Sequence, residues 1–305
     1  MTESNDFTQQ TFRVMGGPAS LTIRHQRTDR HSAEAACNKV RDELDALEAK
    51  YSRYNPESLV SRINRTAGSG IPVEIDDEMQ GLLNLCQQLH EQSGGLFDPT
   101  AGALNAIWNL QEGRIDAPER LPETLKAVGW QHVELSETSV HLSNTNTRLD
   151  LGGVVKEFAV DMSVQMLRVA GFQNHIVELA GDVFASGTSS DGEPWRIGIS
   201  DPSDPETAIR TLELTDAALA SSGSYQRFFT HKGKQYSHFL NPRTGWPVEG
   251  AISTSVVAGN ALIAGAVATV ACLHGASDAG AWLEKSGLPW LTIDESGLLH
   301  GPLAR

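Results

Sequence analysis

The chain has 305 residues and carries 24 Lys and Arg against 38 Asp and Glu, a formal net charge of −14 at pH 7. Such an acidic protein is a poor candidate for binding nucleic acid through counterion release, although a local basic groove stays compatible with these counts. Apolar residues make up 40% and charged residues 20%, a balance that is typical of globular domains and argues against long disordered regions.

The chain begins MTESNDFTQQTF, without the basic region and the apolar run of an export signal, so we expect a cytoplasmic protein. Residues 1–12 are predicted to be disordered, and residues 1–305 to form a single domain. The most apolar stretch, residues 261–273, is shorter than the ~20 residues of a membrane span. The cysteines, which form no CxxC pair, are predicted to be buried thiols; they are Cys37, Cys86 and Cys272.

Apolar periodicity predicts the elements of the first half of the chain. Residues 20–25 are predicted to form a strand after a Gly-Gly-Pro turn. A helix follows, with one apolar face formed by Cys37, Val40, Leu44, Leu47 and Tyr51. A second helix begins at Asp76 or Asp77, either of which can cap it, and ends at Gly94-Gly95. Its apolar stripe is Met79, Leu82, Leu83, Cys86 and Leu89.

The second half mixes helices and strands without strict alternation, which favours an α+β fold over a doubly wound parallel sheet. A loop is predicted over residues 113–122 and a hairpin over 133–142. A helix bearing Val160, Val164 and Leu167 ends at Gly171, and an apolar helix over 261–273 is capped by Asn260. Strands are predicted over residues 148–151, 175–183, 195–200, 209–214, 235–240 and 252–257.

Familiar nucleotide and hydrolase motifs are absent from the sequence. No GxGxxG, GxSxG, HExxH or EF-hand pattern occurs. Residues 187–192 have the glycine spacing of a P-loop, but Glu193 stands where the phosphate-binding Lys is required. A bound nucleotide would therefore need a different kind of site.

Four segments have compositions unlike plain core: residues 94–100, 149–157, 221–247 and 260–275. Each also has a purely structural explanation. Residues 94–100 would be a helix cap with an Asx turn, and 149–157 a turn between a strand and a helix. Residues 221–247 would contain a His with a structural role, and 260–275 a helix that packs closely at a glycine. Gly152 and Gly153 would also let the backbone approach a ligand, while Asp150 accepts hydrogen bonds and Lys156 faces a phosphate. The density of hydroxyl and cationic groups over 221–247 favours a polar ligand pocket.

In order and spacing, these segments resemble the ApbE family of FAD:protein FMN transferases, from about Met15 to Leu283. The motifs that carry the resemblance are Met15-Gly16, SRYNPES at residues 52–58, GLFDPT at 95–100, DLGGVVKE at 150–157, SGSY at 222–225 and HFLNPRTG at 238–245. The resemblance implies an α+β fold with a duplicated tunnelling-fold-like core, antiparallel sheets and flanking helices.

The resemblance also implies a function. Such proteins bind FAD, cleave its pyrophosphate with the help of Mg²⁺, and transfer FMN to a Thr or Ser hydroxyl of a partner protein. By position, the FAD contacts would be Met15, Tyr54, Leu96, Phe97, Asp98, Asp150, Lys156 and Phe239. Catalytic roles would fall to Lys156, His238 and Thr244. The metal would be held at Gly153, Ala268 and Thr269, together with an acid.

The sequence departs from the family pattern at this metal site. Where the family has Ala-Asp-Ala-x-Ala-Thr, residues 264–269 are AGAVAT, so Gly265 replaces the metal-binding Asp. Glu157 stands where the family has Gly, and its carboxylate could serve the metal site in place of that Asp. Three hypotheses follow: an active transferase with a rearranged metal site, an FAD-binding protein that hydrolyses FAD or has lost transfer, and an unrelated protein without flavin. None involves nucleic acid or membrane insertion.

Overall fold

The computed structural model describes residues 5–109, 112–223, 228–248 and 253–305, which form six α-helices and seventeen β-strands. The helices are α1 (Arg30–Tyr51), α2 (Leu59–Arg65), α3 (Asp77–Gln92), α4 (Leu121–Leu125), α5 (Val155–Val169) and α6 (Ala261–Ser286). The strands are β1 (Asn5–Val14), β2 (Gly17–Gln26), β3 (Val73–Glu74), β4 (Trp108–Asn109), β5 (Arg114–Ile115), β6 (Val133–Leu135), β7 (Ser139–Leu142), β8 (His175–Leu179), β9 (Asp182–Ser186), β10 (Trp195–Asp201), β11 (Asp204–Leu214), β12 (Ala217–Gly223), β13 (Phe228–His231), β14 (Lys234–Ser237), β15 (Ser253–Ala258), β16 (Trp290–Ile293) and β17 (Leu299–His300).

Eight of these strands form one antiparallel sheet in the order β1-β2-β8-β9-β12-β15-β16-β17. In its first hairpin, Asn5 pairs with Gln26 and Val14 with Gly17. Strand β2 then pairs with β8, where Ala19 lies opposite Leu179. The predicted disorder of residues 1–12 is therefore wrong for residues 5–12, because β1 has a backbone partner along its whole length. Residues 1–4 lie outside the described part of the chain.

The helices cover the sheet with the apolar faces that the sequence predicts. Every residue of the predicted stripe on α1 is buried, as is every residue of the stripe on α3. The side chain of Asp76 caps α3 by accepting a hydrogen bond of 3.0 Å from the backbone N–H of Met79. Helix α5 packs between α1 and α6, and α6 packs on β12 and β15. The cysteines in these elements, Cys37, Cys86 and Cys272, are buried free thiols, as predicted.

Helix α6 is longer than the sequence predicts. Asn260 caps it, with a hydrogen bond of 2.8 Å from the N–H of Ile263, but the helix continues to Ser286 instead of ending at 273. Gly275 interrupts it with non-helical dihedrals (φ 75°, ψ 176°), and the helix resumes after this kink. By length and composition α6 could cross a membrane, but 56% of its most apolar window is buried within the protein, as in a core helix.

Several other predicted boundaries differ in the structure. Residues 175–183 do not form one strand, because Ala180 and Gly181, with φ 49° and 93°, make the turn between β8 and β9. Residues 148–151 contribute only an isolated bridge between Arg148 and Ala101. The predicted loop at 113–122 contains β5 and the start of α4. The predicted strand at 235–240 ends at Ser237. Helix α2 was not predicted, because seven residues are too few for a clear period.

Candidate active site

A cavity of about 830 Å³ brings together segments from both halves of the chain. Every residue that the resemblance assigns to FAD lines it, namely Met15, Tyr54, Leu96, Phe97, Asp98, Asp150, Lys156 and Phe239. His238, Gly153 and Thr269 line the same cavity. The volume lies within the usual range of ~300–1,000 Å³ for small-molecule sites.

Two predicted site residues do not line this cavity. Thr244 is exposed in the turn after Asn241 and accepts a hydrogen bond of 3.2 Å from the N–H of Trp246. Ala268 is fully buried among the apolar residues of α6. Neither residue is in the cavity lining, so the roles that the resemblance assigns to them stay predictions. The predicted segment 224–227 (Ser224, Tyr225, Gln226 and Arg227) and residue Ile252 lie outside the described residues.

One rim of the cavity is the hairpin turn between β1 and β2. Met15 has a left-handed backbone (φ 52°), followed by Gly16 (φ 77°), which matches the positive dihedrals of a tight antiparallel hairpin. The N–H of Met15 donates a hydrogen bond of 2.8 Å to Oε2 of Glu48 on α1. This bond fixes the turn against the helix and holds Met15 at the rim.

A second rim is formed by the segment between α1 and α2. Tyr54 is 59% exposed, and the guanidinium of Arg53 lies 4.2 Å from the centroid of its ring. Nε of Arg53 also forms an ion pair of 2.8 Å with Asp150. This arrangement ties the aromatic ring to the glycine-rich turn that follows Asp150. Sequence reasoning missed Arg53, although it lies inside the matched SRYNPES motif.

The turn after α3 supplies the apolar floor. Asp98 accepts hydrogen bonds from the N–H and the hydroxyl of Thr100, at 2.8 and 2.5 Å, in an Asx turn. Burial raises the pKa of Asp98, although these hydrogen bonds and His90 oppose the shift. The turn presents Phe97 to the cavity, where a Cβ on Gly153 would lie 3.2 Å from its ring. Gly153 thus permits the close approach of the two turns.

The turn at residues 241–245 packs against the turn after α3. A guanidinium nitrogen of Arg243 donates a hydrogen bond of 2.5 Å to the carbonyl oxygen of Gly94. The N–H of Gly245 bonds to the carbonyl of Asn241 at 2.7 Å, which closes the turn. The turn at 241–245 therefore contacts the residue immediately before the GLFDPT motif, and His238 and Phe239, which precede this turn, line the cavity.

A buried charge cluster lies where α5 begins. Nζ of Lys156 forms an ion pair with Asp182, and lies 3.6 Å from Oε1 of Glu157. Asp182 also accepts a hydrogen bond of 3.1 Å from the N–H of Ser221. Burial lowers the pKa of Lys156, but the two carboxylates outweigh it and raise the pKa overall. Asp182 is a further residue that sequence reasoning missed.

The side chain of Glu157 points toward α6. Burial, reinforced by Asp182, raises the pKa of Glu157 to about 7, although Lys156 opposes the shift. Its Oε2 is buried and has no hydrogen-bond partner among the described residues. The space it occupies is open because position 265 is glycine: a Cβ built on Gly265 would lie 3.0 Å from Cδ of Glu157.

Thr269 lies one helical turn beyond Gly265. Its hydroxyl is 3.1 Å from the hydroxyl of Ser222 on β12. Within the described part of the chain, no group of three or more His, Cys, Asp or Glu side chains is arranged to hold a metal. A cation here would need a mixed set of oxygen atoms from carboxylate, hydroxyl, carbonyl and phosphate, which is a usual arrangement for Mg²⁺.

The match to a protein family covers most of the chain, since the ApbE family matches residues 15–291. The chain belongs to the ApbE family. It is 34% identical over 232 residues to a protein of Chlamydia pneumoniae named FAD:protein FMN transferase, covering 73% of this chain and 71% of the relative. A protein of Haemophilus influenzae with the same name is 28% identical, over 90% of this chain and 84% of the relative.

Solved structures of the family have the same fold. The ApbE protein of Thermotoga maritima superposes with a TM-score of 0.88 at 27% identity, covering 97% of both chains. The flavin transferase ApbE of Vibrio cholerae superposes with a TM-score of 0.85 at 23% identity, covering 98% of this chain and 97% of that one. The predicted mixture of helices and antiparallel sheet is therefore confirmed.

Proposed function

We propose that this chain is an FAD:protein FMN transferase, which binds FAD in the cavity and transfers FMN to a Thr or Ser hydroxyl of a partner protein. The observation that carries the proposal is the convergence of all eight predicted FAD-contact residues on one cavity. The shared name of the curated relatives, FAD:protein FMN transferase, supports it independently.

The residues of the cavity suit the parts of FAD. Tyr54, exposed at the rim, offers a ring face to an aromatic base or to the flavin, and Leu96, Phe97 and Phe239 form an apolar wall. Lys156, at the beginning of α5, offers a positive charge beside a helix N-terminus. Helix N-termini and ammonium groups stabilise phosphates, so the pyrophosphate would lie at this end of the cavity.

The transfer breaks the phosphoanhydride linkage of FAD and forms a phosphoester linkage to the acceptor. The hydroxyl oxygen of the acceptor forms a bond to the phosphorus of the FMN half, the bond from that phosphorus to the bridging oxygen breaks, and AMP leaves with the electron pair. The hydroxyl proton must be released, and His238 in the cavity wall is the base that we propose accepts it.

A divalent cation fits the chemistry of this site. Lys156, Glu157 and Asp182 carry a net charge of −1 when all three are ionised, and one buried carboxylate oxygen is unpartnered among the described residues. The hydroxyl of Thr269 and the carbonyl of Gly153 would be further oxygen donors. When bound, Mg²⁺ would neutralise charge on the phosphates and on the leaving AMP.

The proposal is tested by incubating the purified protein with FAD, Mg²⁺ and a panel of acceptor proteins. We expect a covalent FMN adduct on a Thr or Ser by mass spectrometry, with one AMP released for each adduct. If a known transferase labels the panel and this protein labels none of it, the proposal fails. Release of AMP and free FMN without an adduct would indicate a pyrophosphatase instead.

A further inference from the structure

Helices α5 and α6 meet where Glu157 faces Gly265. A Cβ built on Gly265 would lie 3.0 Å from both Cδ and Oε1 of Glu157, and closer still to its Cγ. Packed side chains do not approach so closely, so Glu157 occupies the space in which any larger residue at position 265 would begin. The missing side chain at Gly265 is what admits a carboxylate between the two helices.

The carboxylate of Glu157 is buried and only half satisfied. The residue is 4% exposed. Its Oε1 lies 3.6 Å from Nζ of Lys156, while its Oε2 has no partner in the part of the chain that the structure describes. Buried carboxylate oxygens are almost always hydrogen-bonded, paired with a charge, or bound to a metal. This unpartnered oxygen is therefore a candidate ligand for a cation bound beside the cavity.

A second oxygen donor, the hydroxyl of Thr269, lies on the face of α6 that Glu157 contacts. Gly265 and Thr269 are four residues apart, so they share one face of α6 and are about 6 Å apart along its axis. Both Glu157 and Thr269 line the cavity. A carboxylate from α5 and a hydroxyl from α6 thus flank one region of the cavity wall, at the end where Lys156 would meet the phosphates.

The charge balance also favours a cation. Lys156 already forms an ion pair with Asp182, so a single ammonium group serves two buried carboxylates. A hard divalent cation that binds carboxylate, hydroxyl and phosphate oxygens would remove the excess negative charge.

We propose that Glu157 supplies the carboxylate of the cation site in this chain, reaching it from α5 across the space that Gly265 leaves on α6. The inference deepens the proposed function, since it names the residue that takes the place of the Asp expected at position 265. Relative to the family pattern, an acid replaces Gly at position 157 on α5 and Gly replaces the acid at position 265 on α6.

The exchange has a consequence for substitutions. Placing Asp at position 265 while Glu157 remains would force its Cβ against the Glu157 side chain and bring two carboxylates together. Gly265→Asp alone is therefore expected to weaken cation binding. The paired change Glu157→Gly with Gly265→Asp removes the collision, returns the acid to α6, and is expected to bind the cation.

The test is a titration of the full-length protein with Mn²⁺, a paramagnetic substitute for Mg²⁺, followed by electron paramagnetic resonance in the presence of FAD. Glu157→Gln keeps the shape of the side chain and removes its charge. It is expected to weaken Mn²⁺ binding by at least about tenfold. A loss of about tenfold is the lower end of the range for removing a residue that only hydrogen-bonds to a metal ligand, and a direct ligand should matter at least as much. Glu178→Gln, on β8 and outside the cavity lining, is the matched control and should not change it.

Two outcomes would overturn the inference. One is a wild-type protein that binds no Mn²⁺ at millimolar concentration; the other is unchanged Mn²⁺ affinity in Glu157→Gln. FAD binding, followed by flavin fluorescence on the same samples, and FMN transfer are scored separately. A protein that transfers FMN but has no Glu157-dependent Mn²⁺ site contradicts only the inference. A protein that neither binds FAD nor transfers FMN contradicts the proposed function.

Discussion

The carboxylate of Asp161 on α5 accepts the backbone N–H of Ala261 at the first residue of α6, at 2.8 Å. Its second oxygen accepts the next N–H, from Leu262, at 3.0 Å. One side chain thus satisfies two donors that a helix N-terminus leaves unpaired. It also fixes the register between α5 and α6, the two helices that carry Glu157 and Thr269.

We expect Asp161→Ala to lower the free energy of unfolding by about 1–3 kcal/mol, because it leaves two backbone donors at the start of α6 without their acceptor. Urea denaturation followed by circular dichroism measures the change. Asp161→Asn, which keeps one acceptor oxygen, should lose less. Equal stability of Asp161→Ala and the wild type would mean that water replaces the carboxylate at no cost.

The contact between Gly265 and Glu157 predicts opposite effects for two glycines of the same helix. Gly265→Ala should destabilise the protein, because overpacking costs about 1–3 kcal/mol and exceeds the gain in helix propensity. Gly280→Ala has nothing within 4 Å of the added Cβ and should stabilise the protein by up to about 1 kcal/mol.

Thermal denaturation of both variants measures these effects. Combining Gly265→Ala with Glu157→Ala should recover part of the loss, since the second change removes the colliding side chain. If the losses of stability in the two single variants simply add in the double variant, α5 and α6 accommodate the added Cβ by moving apart without strain.

The exposed ring of Tyr54 predicts a stacking contribution to FAD affinity. Tyr54→Ala should weaken FAD binding by about 5- to 150-fold, the range that corresponds to the ~1–3 kcal/mol measured for a base on an aromatic ring. Tyr54→Phe should lose much less, because it keeps the ring and only removes the hydroxyl that Arg53 contacts.

Fluorescence titration with FAD measures both variants. Phe7→Ala is a suitable control, because Phe7 is also an exposed aromatic residue but packs on Trp195, and does not line the cavity. Equal losses in Tyr54→Ala and Phe7→Ala would exclude a specific role for Tyr54.

The buried imidazole of His175 predicts a pH dependence of stability. Burial lowers the pKa of His175 to about 4, with a smaller contribution in the same direction from Arg168, while Asp216 and a hydrogen bond to Phe172 oppose it. This pKa is lower than the pKa of His in the unfolded chain. As the pH falls, the unfolded state therefore takes up a proton on this imidazole before the folded state does. The contribution of His175 to the free energy of unfolding is fully present above pH ~6.5 and is lost as the pH decreases toward 4.

Over this window we expect a loss on the order of 3 kcal/mol from His175 alone. Urea denaturation at several pH values measures it. His175→Asn retains a donor for the carbonyl of Phe172 but does not titrate, and its stability should vary less between pH 6.5 and 4. An unchanged pH profile in this variant would assign the acid sensitivity to other groups.

Local patterns predicted the helices well where burial and capping agree. On α1 and α3, apolar residues recur at intervals of three and four, and Asp76 or the glycines after α3 supply the end signals. The same reasoning ended α6 too early, because a glycine normally stops a helix. Gly275 only kinks this one, and the helix has buried residues on both sides of the kink, Cys272 before it and Leu283 after it.

The sequence predicted which residues line the cavity, but not which of them contact one another. The resemblance placed Asp150, Lys156 and Phe97 in one cavity, which the structure supports. It named Glu157 as a carboxylate that could serve the site lacking an Asp at Gly265, but no pattern within the sequence places these residues of two different helices in contact. Thr244 lies outside the cavity lining, where its hydroxyl accepts the backbone N–H of Trp246, a local bond that a sequence pattern does not distinguish from a ligand contact.

The order of strands in the large sheet governs when the flavin site can form during synthesis. Strand β2 pairs with β8, and β12 pairs with both β9 and β15, so most partners are distant in the chain, a topology associated with slow folding. A nascent polypeptide that stops before α6 lacks Thr269 and the helix that packs on β12. The ribosome must therefore deliver nearly the entire polypeptide before the wall of the cavity is complete.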